Sequence, residues 1–110
     1  VLRRSSMQTT QRCIRIANLT IDLNDYSVAC GTKTYQLPPK QTELLYYLAA
    51  HPNRVFSREQ LLREVWGYDY YGASRTVDVH VKRLRQTFAD TAQGWQISTI
   101  WAVGYKFEVT

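Results

Sequence analysis

The succession of hydrophobic periods along this 110-residue chain predicts an α+β domain: a strand meander, then helices, then a closing hairpin. Three observations predict it. Apolar residues alternate with polar ones from Cys13 to Leu37. They then recur every three to four residues through the middle of the chain, and alternation resumes after Gln93-Gly94. With 45% hydrophobic and 13% aromatic residues in 12.8 kDa, the chain can bury a single core without staples.

The elements follow in order. Residues 1 to 11 are polar and basic without a sustained period, and read as a tether. Cys13-Ile-Arg-Ile, Leu19-Thr-Ile-Asp-Leu, Ser27-Val-Ala-Cys and Lys33-Thr-Tyr-Gln-Leu are punctuated by Asn18, Asn24-Asp25 and Gly31-Thr32, which predicts up to four short antiparallel strands. Pro38-Pro39 ends that region, because the second proline denies the first a helical conformation. A helix is expected from about Pro39 to Ala50, with Leu44, Leu45 and Leu48 as its apolar face and His51-Pro52-Asn53 as its stop. Ser57 followed by Gln60 forms a capping box for a second helix, which buries Leu61, Leu62, Val65 and Trp66 and ends at Gly67. After an aromatic loop, Ser74 is placed to cap a third helix from Arg75 to Phe88. Strand-like runs from Trp95 to Trp101 and from Tyr105 to Val109 flank Ala102-Val103-Gly104, a hairpin turn.

The third helix carries the clearest functional pattern. At ~100° per residue, Val77, Val81, Leu84 and Phe88 share one narrow stripe, while Arg75, Asp78, Val79, Lys82, Arg83 and Gln86 point away from it. Arg75, Lys82, Arg83 and Arg85 against Asp78 make four minus one, or +3. An apolar back with a basic, hydrogen-bonding front is what a major-groove reading helix requires, and an ordinary solvated helix is the alternative reading. A net charge of +5 and a pI near 9.4 favour an anionic partner, nucleic acid or an acidic membrane surface. No apolar run approaches the ~18 residues of a membrane span. Cys13 and Cys30 lie in strand-like stretches and are expected to be buried free thiols of a cytosolic protein. His51, His80 and the two cysteines lack partners at catalytic or metal-binding spacing, and no glycine-rich phosphate loop is present, so neither an enzyme, a metal nor a cofactor is expected. Strands, three helices and a hairpin in this order form a winged helix-turn-helix, with the third helix in the major groove and the hairpin as the wing.

Several segments resemble a known family. Leu44-Leu-Tyr-Tyr-Leu48, Arg54-Val-Phe-Ser-Arg-Glu-Gln-Leu-Leu62, Val65-Trp-Gly67, Arg75-Thr-Val-Asp-Val-His-Val-Lys-Arg-Leu-Arg85 and Val103-Gly-Tyr-Lys-Phe107 closely resemble, in order and interval, the C-terminal effector domain of OmpR/PhoB-type response regulators. The resemblance covers roughly residues 12 to 109. It implies a DNA-binding effector domain over residues 12 to 110, preceded by the end of a receiver domain and an interdomain linker in residues 1 to 11. It further implies a cytoplasmic, phosphorylation-controlled transcription factor served by a sensor kinase through a receiver domain, binding direct-repeat sites on double-stranded DNA. The isolated fragment is then expected to be monomeric. A winged-helix module that contacts the transcription machinery without reading DNA is the alternative.

Site roles follow from the same resemblance. Arg75 and Thr76 resemble the family's phosphate-clamping pair, at a helix N-terminus that already favours an anion. Val79 suits thymine methyl groups, and Arg83 suits guanine O6 and N7. Asp78 either accepts from a cytosine amino group or orients Arg83. Lys82, Arg85 and His80 match phosphate contacts that set register, although Arg85 also reads as a surface arginine and His80 lies at the edge of the buried seam. Arg58 and Trp66 match backbone contacts, with core packing the other reading for Trp66. In the wing, many relatives carry arginine and glycine where Trp101 and Ala102 stand here, which removes arginine-based minor-groove readout. Trp101 would instead stack on sugar-phosphate or pack onto the third helix, and Tyr105 and Lys106 would touch phosphates. Tyr68, Asp69, Tyr70 and Tyr71 resemble the loop that faces RNA polymerase and its sigma factor, or else form a hydrophobic cluster closing the loop.

Overall fold

The computed structural model describes residues 12–68, 70 and 72–109. The expected tether, and Asp69 and Tyr71 of the aromatic loop, lie outside the described residues. Four strands, β1 (Cys13–Ile16), β2 (Leu19–Asp22), β3 (Ser27–Cys30) and β4 (Lys33–Gln36), pair antiparallel in the order β1-β2-β3-β4. Leu19 sits opposite Cys30 and Ile21 opposite Val28, so one face of the meander is apolar and fully buried. Against that face packs α1 (Pro39–Ala49), whose Leu44, Leu45 and Leu48 belong to the same core. The proline at its first turn costs nothing there, since that N–H has no helical partner. Cys30 is buried as expected, whereas Cys13 is exposed, because the β1 edge turns it away from the core.

The second helix, α2 (Arg58–Leu61), opens with the predicted capping box: Gln60 N–H donates to Ser57 Oγ at 3.1 Å, and Ser57 N–H to Gln60 Oε1 at 2.9 Å. It then widens into a π-helical turn, Leu62–Trp66, which sequence patterning does not foresee. Lys40 Nζ of α1 donates to the Val65 carbonyl at 3.0 Å, satisfying an oxygen near the helix end. Gly67, at φ 110°, stops the helix where predicted. The third helix, α3 (Arg75–Thr87), starts without the expected side-chain cap. Ser74 has helical backbone angles, φ −63° and ψ −15°, and so cannot turn its hydroxyl back onto the first amides.

A second sheet of three strands closes the domain, in the order β5 (Val55–Ser57), β7 (Gly104–Val109), β6 (Trp95–Ile100). The short β5 has no alternating pattern of its own and escapes a sequence reading. Gly104 belongs to β7 rather than to the turn. A Cβ there would collide with the Phe56 carbonyl and lie 2.8 Å from Ser57 Cα, so glycine is what lets β5 and β7 meet. The turn is carried instead by Ala102 at φ 66°, with Val103 N–H donating to the Ile100 carbonyl at 2.9 Å.

Candidate nucleic-acid interface

The predicted seam of α3 is real: Val77, Val81 and Leu84 are fully buried, and Phe88 is nearly so. Around this seam the helix has three further faces, each with its own neighbours. The outward face carries Arg75, Val79, Lys82, Arg83 and Gln86, all exposed, with Val79 38% accessible despite being apolar. Among the described residues, no ion pair engages Arg75, Lys82 or Arg83. Three cations and an apolar contact therefore project from a rigid, core-anchored backbone.

One flank faces the helix-turn-helix partner. His80 presses edge-on against the Trp66 ring, centroids 4.9 Å apart, and its Nδ1 donates to the Thr76 carbonyl at 2.9 Å. Both side chains are half-buried, which favours the packing role for each.

The other flank faces the wing. Asp78 does not hold Arg83. Its Oδ2 accepts from Arg58 Nη1 at 2.8 Å and its Oδ1 from the Tyr105 hydroxyl at 2.7 Å, because at ~100° per residue Arg83 lies well round the helix from it. Tyr105, expected at a phosphate, is 8% exposed and spends its hydroxyl inside the domain. Burial first, then the hydrogen bond to Asp78 and its charge, push the Tyr105 hydroxyl up to about pKa 12. The same carboxylate raises Arg58. Arg85 is neither salt-bridged nor merely solvated: Nε donates to the Ile97 carbonyl at 2.9 Å and Nη2 to Thr99 Oγ1 at 2.6 Å. Its guanidinium also lies 5.6 Å from the Tyr105 ring centroid.

Trp101 does not pack onto α3. It is 90% exposed at the wing tip, bordering an open cleft of about 240 Å³ with Arg58, Asp78 and Tyr105. Lys106 is half-buried and pairs with Glu108 at 3.3 Å. Donors from Gln96, Ser98 and Lys106 hold the Glu108 carboxyl below its usual range. Tyr68 and Tyr70 are exposed, and Tyr68 donates to Glu64 Oε2 at 3.2 Å. Among the described residues no His, Cys, Asp and Glu gather into a metal site, and no helix is long and apolar enough to cross a membrane.

A core-anchored basic helix, its helix-turn-helix partner and a hydrogen-bonded hairpin beside it define a winged helix-turn-helix domain of the effector type. A model of the family described as "Transcriptional regulatory protein, C terminal" matches residues 31–107. The chain belongs to that family. It is 45% identical to the transcriptional regulatory protein SrrA of Staphylococcus aureus, over 99% of this chain and 49% of the relative. The chain thus spans about half the length of the curated relatives it matches.

Among solved structures, the DNA-binding domain of Klebsiella pneumoniae RstA in complex with the RstA box is 33% identical, with a TM-score of 0.74, covering 87% of this chain and 96% of that one. The Thermotoga maritima response regulator DrrB, an OmpR/PhoB homologue, is 31% identical with a TM-score of 0.75, covering 94% and 47%. The DNA-binding domain of Bacillus subtilis CssR is 30% identical with a TM-score of 0.70, covering 81% and 98%. The resemblance read from the motifs and the winged-helix fold read from the periods both stand.

Proposed function

We propose that this domain binds double-stranded DNA sequence-specifically, as the output half of a phosphorylation-controlled response regulator that controls transcription. The observation that carries the reading is the outward face of α3, where Arg75, Lys82, Arg83 and Val79 are exposed on a helix whose opposite face is fully buried. The likeness to an RstA domain bound to its DNA box supports it. In this reading Arg83 reads a guanine edge, Val79 meets thymine methyl groups, and Lys82 with the Arg75–Thr76 pair at the helix N-terminus holds phosphates. Arg58, Trp66 and His80 border that surface, and the exposed Trp101 meets the sugar-phosphate backbone beside the wing; Lys106 pairs with Glu108 on the sheet face away from Tyr105. No catalytic step belongs to the domain.

The whole protein, on this proposal, occupies the cytoplasm, pairs on direct repeats, receives phosphate from a sensor kinase through its receiver, and meets RNA polymerase through the loop holding Tyr68 and Tyr70. The exposure of these two tyrosines, 74% and 40%, supports a protein-contact role for the loop. The test is selection of bound sites from a random duplex library, followed by titration of selected and scrambled duplexes at several salt concentrations. Recovery of one motif with a specificity ratio of roughly 10³ or more supports the reading, and equal binding of both duplexes overturns it.

A further inference from the structure

Asp78 and Arg85 both sit on the helix proposed to read DNA, and both would ordinarily be counted among its contacts. We propose instead that they are positioning residues, a two-point clamp that fixes the angle of the wing against the reading helix. The proposal rests on the DNA-binding reading above and narrows its contact surface.

The two residues are seven apart, so at ~100° per residue they lie within ~20° of one another on a single stripe of α3, separated by ~10 Å along the axis. What they hold is one cross-strand pair. Thr99 of β6 stands directly opposite Tyr105 of β7. Asp78 takes the Tyr105 hydroxyl at 2.7 Å, and Arg85 takes Thr99 Oγ1 at 2.6 Å and the neighbouring Ile97 carbonyl at 2.9 Å. A single fastener between a helix and a hairpin leaves a pivot. Two fasteners ~10 Å apart on the helix remove it.

Both Asp78 oxygens and two of the five N–H donors of Arg85 are already committed. Both Asp78 oxygens have partners, the second being Arg58 Nη1 at 2.8 Å, so accepting from a base would require giving one up. Arg85 has spent Nε and Nη2 inside the domain, and its Cζ lies over the Tyr105 ring, 5.6 Å from the centroid. Tyr105 is buried, so its hydroxyl cannot leave Asp78 for water without a desolvation cost. Through Arg58 the same carboxylate also joins the start of α2 to the assembly. Three elements proposed to face DNA thereby become one rigid surface, and the reading face contracts to Arg75, Val79, Lys82, Arg83 and Gln86.

The salt dependence of binding separates positioning from contact, because each lost phosphate contact lowers the slope of log affinity against log salt by ~0.9. The experiment compares the 110-residue chain with Arg85→Ala, Thr99→Val, Asp78→Asn and Tyr105→Phe, on selected and scrambled duplexes, at a temperature where melts show every variant folded. Thr99→Val and Tyr105→Phe loosen the clamp without touching a DNA-facing charge. The expected result is that Thr99→Val and Arg85→Ala each weaken the selected duplex by roughly tenfold, with salt slopes unchanged. Asp78→Asn and Tyr105→Phe then broaden base preference at several positions together.

The clamp is overturned if Thr99→Val and Tyr105→Phe bind like wild type while Arg85→Ala loses about one unit of slope on both duplexes. It is equally overturned if Asp78→Asn alters preference at one base pair alone. If wild type itself fails to distinguish the duplexes, the DNA-reading proposal fails instead, and the two failures are separate.

Discussion

Asn18, in the first turn of the N-terminal meander, accepts a hydrogen bond from the indole N–H of Trp95, 77 residues later, at 2.8 Å. The same Oδ1 accepts from the Gln93 amide at 3.2 Å, and Nδ2 donates to the Thr91 carbonyl at 2.8 Å. One side chain thus staples the meander to the loop between α3 and the wing. Asn18→Ala leaves the indole N–H of Trp95, only 6% exposed, without its partner. The expected cost is ~2 kcal/mol, or a fall in melting temperature of roughly 10 °C. A thermal melt by circular dichroism checks it, and a change under 2 °C contradicts it.

Helical phase predicts opposite outcomes for two valines separated by a single residue. Val81 is fully buried and Val79 is 38% exposed. Val81→Asp buries an unpaired carboxylate and should cost more than ~4 kcal/mol, enough to unfold the domain. Val79→Asp should melt within a few degrees of wild type yet lose DNA binding, since it sets a negative charge in the proposed groove-facing surface. Melts and gel shifts on the same preparations decide both.

Among the exposed cations, Arg83→Ala is expected to lose ~1–3 kcal/mol of discrimination while retaining much of its non-specific binding. Lys82→Ala should weaken selected and scrambled duplexes alike and flatten the salt slope by about one unit. Competition titrations reversing these assignments would exchange the two roles.

At the wing tip, Trp101→Arg should leave the melting temperature unchanged, because the native side chain is 90% exposed and packs on nothing that arginine would vacate. It should tighten binding to A·T-flanked sites more than to G·C-flanked ones, since narrow minor grooves attract a guanidinium. Equal affinities on both flank types would show that the tip stays outside the minor groove.

Tyr105 adds a pH dependence. Its hydroxyl, ordinarily ionising near 10.0, is held neutral up to about 12 in the folded domain. An acid whose pKa is raised by folding stabilises the fold fully below the unfolded value. That contribution is lost as pH rises from about 10 toward 12, where only the unfolded chain gives up its proton. Urea midpoints at alkaline pH should therefore fall more steeply for wild type than for Tyr105→Phe. Parallel curves would mean that Tyr105 does not differ between the two states.

The seam and outward face of α3, the meander and the Ser57–Gln60 capping box were all legible from the chain alone, because each is a local pattern. A period of 3.6 or 2 assigns every residue to a face before any partner is known. The capping box closes within four residues and needs no distant atom. What only the tertiary structure decided are contacts whose partners lie far along the chain. Arg58 and Asp78 stand 20 residues apart, and Asp78 and Tyr105 stand 27 apart. Three-residue β5 exists only because β7 offers it a glycine and an unpaired edge. Periodicity could place Asp78 and Arg85 outside the seam, but not choose between water, DNA and the wing. That choice depends on where the hairpin comes to rest, which no local period encodes.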